Sequence, residues 1–373
     1  MKIKKVDWID GLKGICCLLI VVHHYILIRY PSAYFGSNAI SYLNNYDTAF
    51  AQNPLSVFVN GNFLVCLFFI LSSVVICLQS YNSCENSKQM TKNILKRYLR
   101  FAIPIFICSI LLEIFMRIFE NNPHSILDLL KSSFITVLWK GDNTFNGGFW
   151  VLHTTFIGTF IAMPFGILLK NCNKKIIIVM LFITYIYFFL GTYYLTFALG
   201  IIIAYWLVHF SNKKSIIIGL LLIFIGLIIG GYPTEFKPTN FYEVLNITHI
   251  SKHIPLHVFW HIIGAFMVCF GITMIPIIQK TLSNKVFKFL GTISFYVYVL
   301  HEVARKLVYF LLPKISLFCN SYMLISIIGL IIMLLISIAL AIIFTKYVQK
   351  YIDILITKIL KIFEKDEMEM KEG

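Results

Sequence analysis

Charge is scarce in this sequence. Only 13% of its 373 residues are Asp, Glu, Lys or Arg, against about 25% in soluble globular chains, and that deficit excludes an ordinary soluble enzyme. Long polar stretches are missing as well. The longest, at residues 31–57, 120–146 and 232–256, are loops, so no soluble domain of useful size fits and any chemistry sits in or beside a membrane. The ten-residue alternation that marks a transmembrane β-barrel is absent. The nine cysteines form no Cys-x-x-Cys pair, so neither a disulfide framework nor a zinc site is indicated.

What is present is hydrocarbon. Hydrophobic residues make up 59% of the chain and the mean hydropathy is +0.82. Apolar runs recur at a length of about 17 to 25 residues, enough to cross a hydrocarbon core of about 30 Å as a helix. They predict an all-α polytopic transmembrane bundle of about ten helices, near residues 14–30, 58–80, 100–119, 147–169, 176–191, 193–210, 216–231, 257–278, 290–312 and 321–346. The opening Met1 to Lys5 and its apolar run have the outline of a signal peptide. Asp10, Lys13 and two histidines interrupt the run and no small-residue cleavage site follows, so the segment reads as a retained first helix.

The formal net charge of +15 does not point to nucleic acid, because the basic residues cluster in short alternate loops. About 22 of the 32 Lys and Arg fall on one side of this ten-helix frame, the side of both termini, which the positive-inside bias makes cytoplasmic. An odd number of helices breaks the pattern. The expected organisation is a transmembrane domain over residues 1–346 and a cytoplasmic basic amphipathic tail over 347–373. The chain is expected in the cytoplasmic (inner) membrane, with no nucleic-acid partner. Two outside segments, Ile126 to Trp139 and Phe241 to Leu256, carry aromatic and apolar residues suited to the interface.

Ionisable side chains inside spans are costly, so each is a functional candidate. They are His23 and His24, Glu113 and Arg117, His153, His261, and the group His301, Glu302, Arg305 and Lys306. Counting about 1.5 Å of rise per residue from Gly14 and from Leu290, His24 and His301 both lie about 15 Å into their helices and can meet. A neutral imidazole is inexpensive to bury and accepts a proton from a hydroxyl; a histidine that merely bonds another helix is the competing reading. Glu113 with Arg117, and Glu302 with Arg305 or Lys306, have the spacing of structural ion pairs. His253, His257 and His261 have a spacing two metal ligands can use, but nothing completes a ligand set. Arg97 and Arg100 suit either lipid phosphates or the phosphates of a cytoplasmic donor. Trp150 and Tyr298 are sugar-stacking candidates or packing residues.

Asp10-Gly11-Leu12-Lys13-Gly14, followed by an apolar run ending in His23-His24, resembles the Asp-Gly-Leu-Arg-Gly opening of the acyltransferase 3 family, which places a histidine eleven residues after its Arg. Here that position is His24. Phe68-Phe69-Ile70-Leu71-Ser72-Ser73, Arg97-x-x-Arg100 with Pro104, Asn146-Gly147-Gly148-Phe149-Trp150-Val151-Leu152 and Leu290-Gly291-Thr292-Ile293-Ser294 running to Tyr298-Val299-Leu300-His301 follow in the family's order. Lys13 stands where the family has Arg, Thr155 where many members have Glu, and Ser73 where they have Gly.

The resemblance implies an O-acyltransferase that carries an acyl group, most commonly acetyl, from acyl-CoA to a hydroxyl of a cell-surface polysaccharide or lipid-linked glycan, as a stand-alone transmembrane domain. It assigns His24, Lys13 and His301 to the catalytic centre, Arg97 and Arg100 to the donor, and Asp10, Ser72, Trp150 and Tyr298 to the acceptor or to support. No bound cofactor or metal is expected; acyl-CoA is a substrate, and the glycan and the bilayer are the partners. The rival class is a secondary transporter that moves a glycan or small solute by alternating access with proton coupling through His24 and His301.

Overall fold

The computed structural model describes residues 5–83, 87–119, 124–171, 192–246, 255–318 and 320–372, and every regular element among them is helical. The long helices are α1 (Asp7–Arg29), α2 (Gly61–Ser83), α3 (Ser87–Phe119), α4 (Phe149–Asn171), α5 (Leu195–His209), α6 (Ile216–Gly230), α7 (Leu256–Met274), α8 (Lys285–Ile315), α9 (Tyr322–Ile343) and α10 (Gln349–Glu372). Among the described residues seven helical segments are long and apolar enough to cross a membrane: α1 to α4, α7, α8 and the continuous Tyr322–Lys361 segment, with α5 and α6 as shorter apolar helices. The helix expected at 176–191 lies outside the described residues.

Several helices start earlier than hydropathy suggests. α1 begins at Asp7, with Asp7 and Asp10 in its first turn where the helix dipole favours acids. α3, at 33 residues, is about 50 Å long and overruns the hydrocarbon. Hydropathy registers only the part of a helix that lies in lipid; backbone hydrogen bonding carries the coil on into polar surroundings. The tail behaves likewise. After a π turn at Phe344–Val348 the chain stays helical to Glu372, and Ile352, Ile356 and Leu360 of α10 form an apolar cluster on Leu99 of α3. The outside segment at Ile126 to Trp139 is also largely helical, with Ile126, Leu127, Ile135 and Trp139 exposed.

α2 is the hub, with 89% of its apolar window buried against 28% for the Tyr322–Lys361 segment, which lies at the periphery. It packs on α1, α4, α5 and α7, while α1 runs beside α8 and α6 beside α7. Several helices touch through glycine, the way bundles in lipid gain close van der Waals contact. Gly226 and Gly264 join α6 to α7, and Gly14 of α1 lies against the backbone of Leu290 and Gly291 in α8. That second crossing sets the register of the site.

Candidate active site

From Gly14 to His24 is ten residues, and from Gly291 to His301 is also ten. Two helices crossing at those glycines and running the same way carry both imidazoles about 15 Å onward to one height, where the rings stand 4.8 Å apart. The pair is nearer the Arg29 end of α1 than the midpoint expected from a start at Gly14, because the helix begins seven residues earlier.

The three imidazoles differ in what holds them. His23 donates from Nδ1 to the Val59 carbonyl at 2.8 Å. His301 donates from Nδ1 to the Tyr298 carbonyl at 2.5 Å, which leaves Nε2 of the neutral ring as the acceptor. No described residue hydrogen-bonds the half-buried His24 ring. Instead it lines a cavity of about 180 Å³, together with His23, Tyr34, Gly61, Asn62, Trp150 and Tyr298. Two histidines are thus fixed by backbone carbonyls, and the third faces the space a substrate would enter.

The wall opposite comes from the start of α4. Tyr298 donates its hydroxyl to the Gly148 carbonyl at 2.6 Å, Asn146 Oδ1 accepts from the Gly148 N–H at 2.8 Å, and Asn146 Nδ2 donates to the Val299 carbonyl at 3.4 Å. The Asn-Gly-Gly turn is therefore tied to α8 and sets the position of Trp150, whose ring meets Tyr193 at 5.0 Å. Tyr298→Phe removes this buried hydrogen bond, leaving the Gly148 carbonyl only the Val151 N–H at 3.2 Å, and is expected to lower stability by about 1 kcal/mol, read as a fall in the melting temperature of the detergent-solubilised chain. Sequence reasoning missed Tyr34, Gly61 and Asn62; the polar Asn60-Gly61-Asn62 at the mouth of the second span was the signal available. Asn62 donates to the Tyr193 hydroxyl at 2.7 Å.

The remaining candidates separate from this centre. Lys13 is eleven residues from His24 on the same helix, about 16 Å along its axis, so it cannot hold an oxyanion formed at His24. It sits over the Phe68 ring at 5.4 Å, within electrostatic reach of Arg97. The half-buried Arg97 lies over Phe101 at 5.2 Å, and its Nε is buried with no acceptor among the described residues. Arg100 does not join it in a clamp. It is exposed and paired with Asp353 of α10 at 2.9 Å, because the packing of α10 on α3 brings a carboxylate to that face. Asp10 pairs with Lys5 at 2.7 Å, away from the imidazoles. Ser72 is buried on α2 and does not line the cavity, while its neighbour Ser73 donates to the Phe197 carbonyl at 2.6 Å and ties α2 to α5.

The other intramembrane ionisable groups are engaged structurally. Glu113 accepts from Arg117 at 2.7 Å and from the His124 N–H at 2.9 Å, and Glu302 pairs with Arg305. His153 donates to the Leu138 carbonyl at 2.8 Å, and buried His261 donates to the Tyr232 carbonyl at 2.8 Å. His253 lies outside the described residues. Among the described residues no three His, Cys, Asp or Glu converge as a metal site would require.

The site thus has two parts spaced along α1: a cationic patch of Lys13 with Arg97 of α3 toward its start, and the pair of His24 with His301 of α8, beside a cavity, toward its end. A family model for an acyltransferase domain matches residues 6–342. Comparison with curated proteins and with solved structures gives no match.

Proposed function

The chain belongs to the acyltransferase 3 family, whose model spans residues 6–342, and from that premise we propose that it transfers an acyl group, acetyl in the first instance, from acyl-CoA to a hydroxyl of a cell-surface polysaccharide or lipid-linked glycan. The basic loops orient it with both termini in the cytoplasm of a cell whose inner membrane holds it. The carrying observation is the contact of His24 and His301 at 4.8 Å beside the cavity.

In this reading the acceptor hydroxyl gives its proton to His24 as its oxygen attacks the thioester carbonyl. The tetrahedral intermediate collapses with loss of the CoA thiolate, which takes the proton back from the imidazolium, giving an ester and a thiol. His301, its Nδ1 anchored on Tyr298, orients the acceptor or His24. Trp150 offers its face to a sugar ring. The donor's phosphates lie at Arg97 and Lys13. About twelve bonds of pantetheine separate phosphate oxygen from sulfur, roughly 14 Å at the rise of an extended chain. That is close to the ~16 Å between Lys13 and His24 along α1, so a donor held by its phosphates at one part of the site brings its thioester to the other.

Arg97→Ala is accordingly expected to raise the KM for acyl-CoA at least about tenfold, since charge-assisted phosphate contacts are among the stronger hydrogen bonds. Arg100→Ala, which loses an exposed ion pair, is expected to stay within about threefold. Initial rates in membrane vesicles with varied donor check both; equal effects would return Arg100 to the donor site. The test of the function itself is mass spectrometry of surface glycan from cells with and without the gene. Loss of an acyl mass increment from polymer that is still exported is expected, whereas accumulation of unexported polymer would favour transport.

A further inference from the structure

The cavity beside His24 differs between its two ends. Ile20 lies one turn nearer Lys13 than His24 does, on the same face of α1 and about 6 Å along its axis. α2 runs the opposite way, since a Cβ at Gly61 would fall 2.3 Å from the His23 ring while Phe68 lies under Lys13 at 5.4 Å. Val65, one turn on from Gly61, is therefore also displaced toward Lys13. Val151 comes from the start of α4, which Gly148 ties to Tyr298, and the Tyr298 ring stacks on Phe68 at 6.3 Å. Ile20, Val65 and Val151 all line the cavity and are buried, whereas His23, Tyr34 and Asn62 line it at the far end. The end toward Lys13 is hydrocarbon, and the other presents hydrogen-bonding groups.

The three apolar residues are all β-branched, hence stiff about χ1, and they come from three different helices of a close-packed bundle. Such a wall does not reshape itself around a larger group as flexible methionines would. Room is short as well. A cavity of about 180 Å³ is the share of roughly six waters at ~30 Å³ each, and the edge of an acceptor and the acyl group must divide it. A sugar pressed against the hydrocarbon end would leave its hydroxyls unpaired, which is costly, while an acyl chain loses nothing there. A donor arriving from Lys13 brings its acyl group to that end first. Resting on the acyl-transfer reading above, we infer that Ile20, Val65 and Val151 form a specificity-determining wall that limits the transferred acyl group to about two or three carbons.

The test is a competition in permeabilised membranes that carry the cells' own surface glycan, supplied with equal concentrations of acetyl-CoA and butyryl-CoA. Mass spectrometry of the glycan reads the two acyl increments, whose ratio is the ratio of kcat/KM values and does not depend on how much protein folds. The parent is expected to favour acetyl by at least about 100-fold, since one methylene in a fitted pocket is worth about 10- to 200-fold. Val65→Ala and Val151→Ala are each expected to shrink that preference at least about tenfold, and Val65→Ile to hold it at or above the parental value. Val74→Ala, a truncation buried on α2 away from this lining, is expected to leave the ratio alone, which separates a wall from general loosening. Equal use of the two donors by the parent, a ratio unmoved in both Val65→Ala and Val151→Ala, or an equal shift in Val74→Ala would overturn the wall and leave acyl transfer standing. No increment from either donor would overturn both.

Discussion

Replacing His24 by alanine is expected to cut acyl transfer by roughly 10² to 10⁴-fold, the usual contribution of a positioned general base, in a protein that still reaches the membrane and melts like the parent. The argument is the difference between three imidazoles. His23 and His301 each donate to a backbone carbonyl, so truncating either removes a side-chain hydrogen bond and costs stability. His24 makes no such bond among the described residues and faces the cavity, so its removal subtracts chemistry with little structural damage. His23→Ala is the natural control, expected to lower the melting temperature more than the rate. If His24 and His301 act as a unit, the double alanine variant should be scarcely slower than the worse single one, since groups acting together are strongly non-additive. Full transfer activity in His24→Ala at normal expression would end the proposal that this ring is the base.

Gly14→Val is expected to remove most of the folded protein. A Cβ at Gly14 would stand 2.6 Å from the Leu290 carbonyl carbon and 2.7 Å from the Gly291 nitrogen. These are backbone atoms of a packed helix and cannot rotate aside, so α1 must lift off α8. Overpacking a tight contact costs about 1–3 kcal/mol, occasionally more, and the two further methyls of valine put the effect at the upper end. The same displacement draws His24 away from His301, so whatever protein survives should also be slow. Gly147, whose added Cβ would meet nothing within 4 Å, supplies the comparison: Gly147→Ala should melt with the parent. Yield and melting temperature after solubilisation read both. A Gly14→Val protein as stable and active as the parent would show that α1 does not cross α8 at this point.

Much of the bundle was legible before any coordinates because burial in hydrocarbon is a local requirement: each span must supply its own run of apolar residues and satisfy its own backbone. The same cost marked His24 and His301, and the equal ten-residue intervals from Gly14 and Gly291 were present in the sequence as well. Even the distance of Lys13 from His24 follows from eleven residues of one helix.

Tertiary structure alone decided which groups face one another. Arg97 and Arg100 have matching places in one motif, yet Arg97 lies over Phe101 within electrostatic reach of Lys13 while Arg100 meets Asp353, brought there by a tail helix whose packing no local pattern encodes. Tyr298 is a plausible sugar platform by type; its hydroxyl is instead spent on Gly148, 150 positions away. Hydropathy and helical period act within a few turns, so they give the helices and their costly residues. Partners far apart in the chain are selected by side-chain shape and charge at interfaces, which exist only once the helices have packed.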